Sequence, residues 1–240
     1  MFNEIDRKKA IIDSKRPLPV ETVESIRKHL FLEWTYNSNA IEGNTLTLNE
    51  TKVILEDGIT IGGKSLREHL EAINHREAIG YIEEIVNENL TEWHIKNIHK
   101  LILDKIDTKN AGVYRNKEVI ISGASHRPPA NLEVPALMKD LLEWYHNDGQ
   151  KMHPVERGAI LHTKFVCIHP FIDGNGRIAR LLLNLELMKH GYPIVIIKKE
   201  DRNIYYDELD KGCSEGDYSD FIKLVVDSLN RSLDLYLDLM

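Results

Sequence analysis

Apolar residues recur in steps of three and four along most of the chain. Val20, Val23, Ile26, Leu30 and Trp34 share one helical face, and Ile95, Ile98, Ile102 and Ile106 share another. Helix starts are marked as well. Thr47-Leu-Asn-Glu50 and Ser65-Leu-Arg-Glu68 each place a hydroxyl three residues before an acid, so that two otherwise unpaired N–H groups are satisfied reciprocally. Gly58 is placed to stop the first of these helices. Further helices are predicted over about 65–87, 91–106, 132–147, 154–168, 175–190, 203–212 and 217–238.

The stretch from Gly112 to Gly123 breaks this rhythm. It carries the β-branched run Val119, Ile120 and Ile121 between glycines and is followed by Pro128-Pro129. A short β-hairpin is expected over 113–123, lying on the helical body or on a ligand, because an isolated hairpin is marginal in water. The predicted fold class is all-α, a helical bundle with one small hairpin.

The composition narrows the function classes. In 240 residues, 42% are apolar and 29% charged, enough for one core and a soluble surface. A net charge of −7 with both signs interspersed argues against a broad nucleic-acid footprint. The N-terminus has no apolar leader core, and no segment approaches the roughly 20 apolar residues of a membrane span. Neither nucleic acid nor membrane is expected as a partner, and the expected location is cytoplasmic. Cys167 and Cys213 lack metal-type spacing; a reducing compartment, no disulfide and two small buried hydrophobes are expected.

The chemistry concentrates in Cys167-Ile-His-Pro-Phe-Ile-Asp-Gly-Asn-Gly-Arg-Ile-Ala-Arg180. The residue before Pro170 is driven out of the helical region, so a loop must separate two helices there. Gly174 and Gly176 leave the backbone unobstructed at the start of the apolar-periodic run Ile178, Leu181, Leu182, Leu185, Met188. A helix N-terminus so exposed favours phosphate. Arg177 and Arg180, one turn apart, can clamp a polyphosphate. Asp173 beside such a pocket suits a divalent cation, and His169 can accept a proton at neutral pH. The set reads as phosphoryl-type transfer. Two other readings are a plain helix cap with solvated arginines and a hydrolytic metal site of His162, His169 and Asp173; the latter leaves the glycines and arginines unexplained.

His169 to Arg180 resembles the signature of the Fic family, HPFxxGNGRxxR, at every specified position. The resemblance extends over about residues 34–226. It implies a Fic-type bundle with a flap, an N-terminal helical extension at 1–33, and a core at 34–240 that includes an inhibitory helix at about 34–44. It also implies transfer of AMP from ATP to a Tyr, Ser or Thr hydroxyl of a protein target, itself included. By this resemblance His169 is the general base and Asp173 holds Mg²⁺, with Mn²⁺ the alternative ion. Gly174, Asn175 and Gly176 cradle phosphates, and Arg177 and Arg180 contact the outer ones. Ser38-Asn-Ala-Ile-Glu42-Gly-Asn44 is similar to the family's inhibitory motif, with Glu42 withdrawing Arg180 from ATP and Ser38 assisting. Ile121, Ser122 and Gly123 fall on the implied flap. Tyr205, Tyr206 and Cys213 fall on the implied adenine pocket, where Cys213 departs from the polar residue other members often carry. Similar proteins form homodimers. Removal of AMP with a Glu42-positioned water, and nucleotide-responsive binding without turnover, are the rival functions.

Overall fold

The computed structural model describes residues 1–121 and 123–240; the contact expected at Ser122 lies outside them. Helices dominate: α1 (Asn3–Ser14), α2 (Val20–Ile41), α3 (Leu48–Lys52) running into a π turn (Val53–Asp57), α4 (Leu66–Glu84), α5 (Glu92–Ile102), α6 (Val134–His146), α7 (Pro154–Ile168), α8 (Asn175–Lys189), α9 (Arg202–Glu215) and α10 (Ser219–Asp238). Both capping boxes form as the sequence predicts: the Thr47 and Ser65 hydroxyls accept from the Glu50 and Glu68 amides, and the two carboxylates return to the cap amides. Gly58 takes φ +68°, the left-handed stop that glycine adopts without steric cost. The apolar period reaches Ile106, yet α5 ends at Ile102. There the Asn74 amide donates to the Ile102 and Asp104 carbonyls at 3.3 and 2.7 Å, and Lys105 turns left-handed.

The α7–α8 pair forms the centre. Ile178, Leu181, Leu182 and Leu185 of α8 face a core built from α2, α4, α5 and α6, including Trp34, Ile79, Ile98 and Met138. Leu183 and Leu187 face a second core with α1, α9 and α10, including Ile5, Leu209, Phe221 and Leu229. Gly158 lets the two helices approach, since a Cβ there would come within 3.0 Å of Leu183 Cδ1. Far from the loop, the Glu186 carboxylate is buried with its partners, accepting from Arg157 Nε at 2.8 Å and Tyr145 OH at 2.5 Å. An apolar layer on each side and a satisfied buried ion pair hold α8 firmly, so its N-terminus is a fixed platform.

Two expectations are corrected. Among the described residues there is no strand, and 113–121 is irregular. Of its β-branched run, Val119 and Ile121 are half-buried against the body while Ile120 is 91% exposed, and no partner strand lies beside it among the described residues. Side chains tether the segment instead of a ladder. Arg115, its side chain buried, reaches the Lys117 and Pro129 carbonyls at 3.1 and 2.6 Å, and Asp210 accepts from the Ser125 and His126 amides at 2.9 Å each. The second correction concerns the cysteines. Cys167 on α7 and Cys213 on α9 form a disulfide across 46 positions, their Cα atoms 5.3 Å apart, because helix packing makes neighbours of residues whose spacing shows nothing. The cysteine argument for a reducing compartment therefore falls. Among the described residues no helix is long and apolar enough to cross a membrane.

Candidate active site

The 169–174 loop is held in shape by its own side chains. His169 caps α7 in the left-handed region (φ 50°), and Gly174 opens α8 at φ +82°. Asn175 lies beneath, 2% exposed, its amide donating to the Phe171 carbonyl at 2.8 Å and its oxygen accepting from the Phe171 amide at 3.0 Å. The Asn175 side chain thus builds the loop, and only its main chain faces the helix mouth. Phe171 is buried and stacks on His99 with ring centres 3.7 Å apart. The first-turn N–H groups of α8 have no acceptor within the helix.

The C-terminal end of α2 meets this mouth. Arg180 is 3% exposed and fully engaged: Nε donates to Ser38 Oγ at 3.0 Å, Nη1 to Tyr205 OH at 3.0 Å, and Nη2 to the Ser38 carbonyl at 2.8 Å and Glu42 Oε1 at 2.7 Å. Burial alone would weaken its proton affinity, but Tyr205 and Glu42 more than compensate and hold it firmly charged. The Glu42 carboxylate also lies over Gly176, where a Cβ would collide with Oε1. Gly176 is therefore required for close approach, and the group approaching it here is a carboxylate.

The outer side of the mouth is bound differently. Arg177 is 1% exposed, and its Nε and Nη1 are buried without hydrogen-bond partners; Nη2 donates to Asp173 Oδ1 at 3.1 Å. Buried guanidinium donors left unpaired are costly, and an anionic ligand would satisfy them. Asp173 accepts also from the Gly174 amide and from Arg67 Nη2, each at 2.5 Å. Burial pushes its carboxyl up, but Arg177, the Gly174 N–H and Arg67 outweigh this and leave it below its ordinary value. A partly exposed, firmly ionised carboxylate beside unpaired arginine donors fits a divalent cation shared with phosphate. Among the described residues no cluster of three metal-type ligands occurs. His162 of the alternative metal set is wholly buried and bonded to Tyr205 at 3.1 Å, beneath Arg180.

A cleft of about 350 Å³ opens from this mouth between α7, α9, Ile121 and residues 123–126. It is lined by His169, Glu42, Gly176, Tyr206, Asp210 and Cys213 together with Ile121 and Gly123, and the Tyr206 hydroxyl donates to the Ile41 carbonyl, next to Glu42, at 3.3 Å. Burial and the Arg115 guanidinium lower the His169 imidazole to about 4, so it is neutral at physiological pH, the form a general base requires. Tyr205 also borders the cleft, but its side chain is fully buried against Arg180 and is a floor rather than a stacking surface; Tyr206, 37% exposed, has the accessible ring. Cys213 carries no free thiol.

Sequence reasoning missed Arg115. Its Nε donates to the His169 carbonyl at 2.8 Å and its own amide donates to the Pro170 carbonyl at 2.9 Å, fixing the His169 backbone from behind. The sequence shows Arg115 only as one polar position in an expected hairpin. It missed Arg67 and Glu71 too, which pair at i,i+4 along α4.

Residues 89–187 match the Fic/DOC family. The proteins named protein adenylyltransferase Fic from Nematostella vectensis and Culex quinquefasciatus are each 38% identical over 99% and 98% of this chain, which spans 56% and 47% of their lengths. The chain thus spans about half the length of the curated relatives it matches. A Fic-domain-containing signalling protein from Bacteroides thetaiotaomicron superposes with a TM-score of 0.90 at 33% identity, covering 98% of this chain and 97% of that one. Fic-1 from C. elegans gives 0.90 at 31%, covering 99% and 71%. With agreement along nearly its whole length, and the loop and α8 mouth built as described, this chain belongs to the Fic/DOC family.

Proposed function

We propose that this chain is a protein adenylyltransferase that moves AMP from ATP to a hydroxyl of a protein target, and that Glu42 holds it inactive. The observation that carries the reading is the Glu42 carboxylate, paired with Arg180 at 2.7 Å and seated over Gly176. It stands on donors that a phosphate would need, and two anions cannot share them. The relatives named adenylyltransferases support the same activity.

The residues divide the work. The α8 N–H groups and Arg177, whose Nε and Nη1 await an acceptor, bind the phosphate chain. Arg180, once released from Glu42, completes the clamp. Asp173 would hold Mg²⁺, which supplies charge neutralisation across the phosphates. His169 takes the proton from the acceptor hydroxyl; the oxygen bonds to the α-phosphorus as its bond to the leaving oxygen breaks, releasing pyrophosphate. The reaction needs alignment and charge compensation rather than an enzyme-linked intermediate. Tyr206 offers a ring to the adenine, and Ile121 and Gly123 face the target.

Intact-mass spectrometry of the Glu42→Gly protein after incubation with ATP and Mg²⁺ tests this. A gain of one AMP, absent when His169→Ala is added, is expected; no gain on itself or on any lysate protein would refute it.

A further inference from the structure

Arg67 lies on α4, outside the signature loop, with its side chain 57% exposed. Its Nη2 donates to Asp173 Oδ2 at 2.5 Å and its Nε to Glu71 Oε1 at 3.0 Å. The same Glu71 oxygen is 3.7 Å from Arg177 Nη1, and Arg177 returns to Asp173. The four side chains form a ring of alternating charge around the mouth of α8. Glu71 is anchored, since Asn44, two residues beyond Glu42, donates to its Oε2 at 2.9 Å and to the Glu68 carbonyl at 3.1 Å. One member of this ring can move easily: Arg67 is long and solvent-facing, whereas Arg177 is enclosed.

We infer that Arg67 is the stand-in cation of Asp173, a positioning residue that holds the carboxylate oriented without a divalent ion and yields it when a metal–nucleotide complex enters. The inference rests on the metal role proposed for Asp173. Arg67 keeps Glu71 when it yields, so the exchange sacrifices one exposed ion pair, and exposed pairs are weak. The guanidinium and a divalent ion would compete for the Asp173 carboxylate.

The competition is read from binding rather than turnover. ADP affinity is measured by titration calorimetry in the full Glu42→Gly chain, once with Mn²⁺ and once with EDTA, and the ratio of the two dissociation constants is the metal gain. Adding Arg67→Ala removes the competitor and should raise the gain about three- to fivefold, the scale of an exposed pair. Arg67→Lys, which keeps the charge without the fork, should fall between. Asp173→Ala should abolish the gain. A gain unchanged or reduced in Arg67→Ala overturns the inference alone. No metal gain in Glu42→Gly itself overturns the Asp173 reading and the inference with it.

Discussion

The two arginines of α8 sit one turn apart in opposite conditions. On the inner side, Arg180 donates to Ser38, Tyr205 and Glu42, all contributed by other helices. On the outer side, Arg177 is just as buried but keeps two donor groups unpaired, and its neighbour Asp173 is held by the exposed Arg67. The inner side is occupied and the outer side is waiting. On the proposed reading, a phosphate chain entering the mouth would meet prepared donors at Arg177 and would have to evict a carboxylate to reach Arg180, so Glu42 would govern one end of the substrate.

The first way to break the comparison is to open the inner side and remove the base. In the Glu42→Gly background, His169→Ala should lower AMP transfer at least about 100-fold, the usual scale for a general base, as followed with α-labelled ATP. Retained transfer would mean that the mouth, and not His169, limits the chemistry.

Stability should separate the arginines next. Arg180→Ala leaves Ser38 and the partly exposed Glu42 without their cation, and a loss of about 2–3 kcal/mol is expected, below the full cost of breaking a wholly buried pair. Thermal unfolding should fall by about 5–10 °C. Arg177→Ala removes two unpaired donors but also the ion pairs with Asp173 and Glu71, and should cost less than Arg180→Ala, about 1–2 kcal/mol. Equal losses would erase the distinction.

Acid should affect the outer half more gradually. His99 and His169, both lowered to about 4 chiefly by burial, remain neutral when the unfolded chain, with ordinary histidines near 6.5, takes up protons. Their contribution to stability is complete above pH 6.5 and declines as pH falls toward 4. The kcat/KM of Glu42→Gly should accordingly be flat from pH 8 to 6 and drop only below about 5; a midpoint near 6.5 would show an unperturbed base. The smallest effect is expected from Ser38→Ala, which removes one donor–acceptor contact with Arg180 Nε and should cost about 1 kcal/mol, measured by urea unfolding.

The periodic helices were legible in the sequence because the forces that place them are local: the Thr47 and Ser65 boxes, the Gly58 stop and the alternating faces of α2 and α8. The mouth was legible for the same reason, as its glycines and arginines lie within one short segment. The pairing of Glu42 with Arg180 was not local, and only a family resemblance reached across 138 positions. Arg115 behind His169, the Arg67–Asp173 pair and the Cys167–Cys213 bond were hidden because each depends on which distant segments become neighbours. The hairpin expectation failed for a related reason. The β propensity of Val119 to Ile121 measures fit to a partner strand, and none is beside it among the described residues.

The initial rate of AMP incorporation from α-labelled ATP, wild type and Glu42→Gly side by side, tests the central claim most directly. If Glu42 and the phosphate chain compete for Arg180 and the α8 mouth, the variant should be at least tenfold faster, the effect of losing a charge-assisted pair. Equal rates would contradict it.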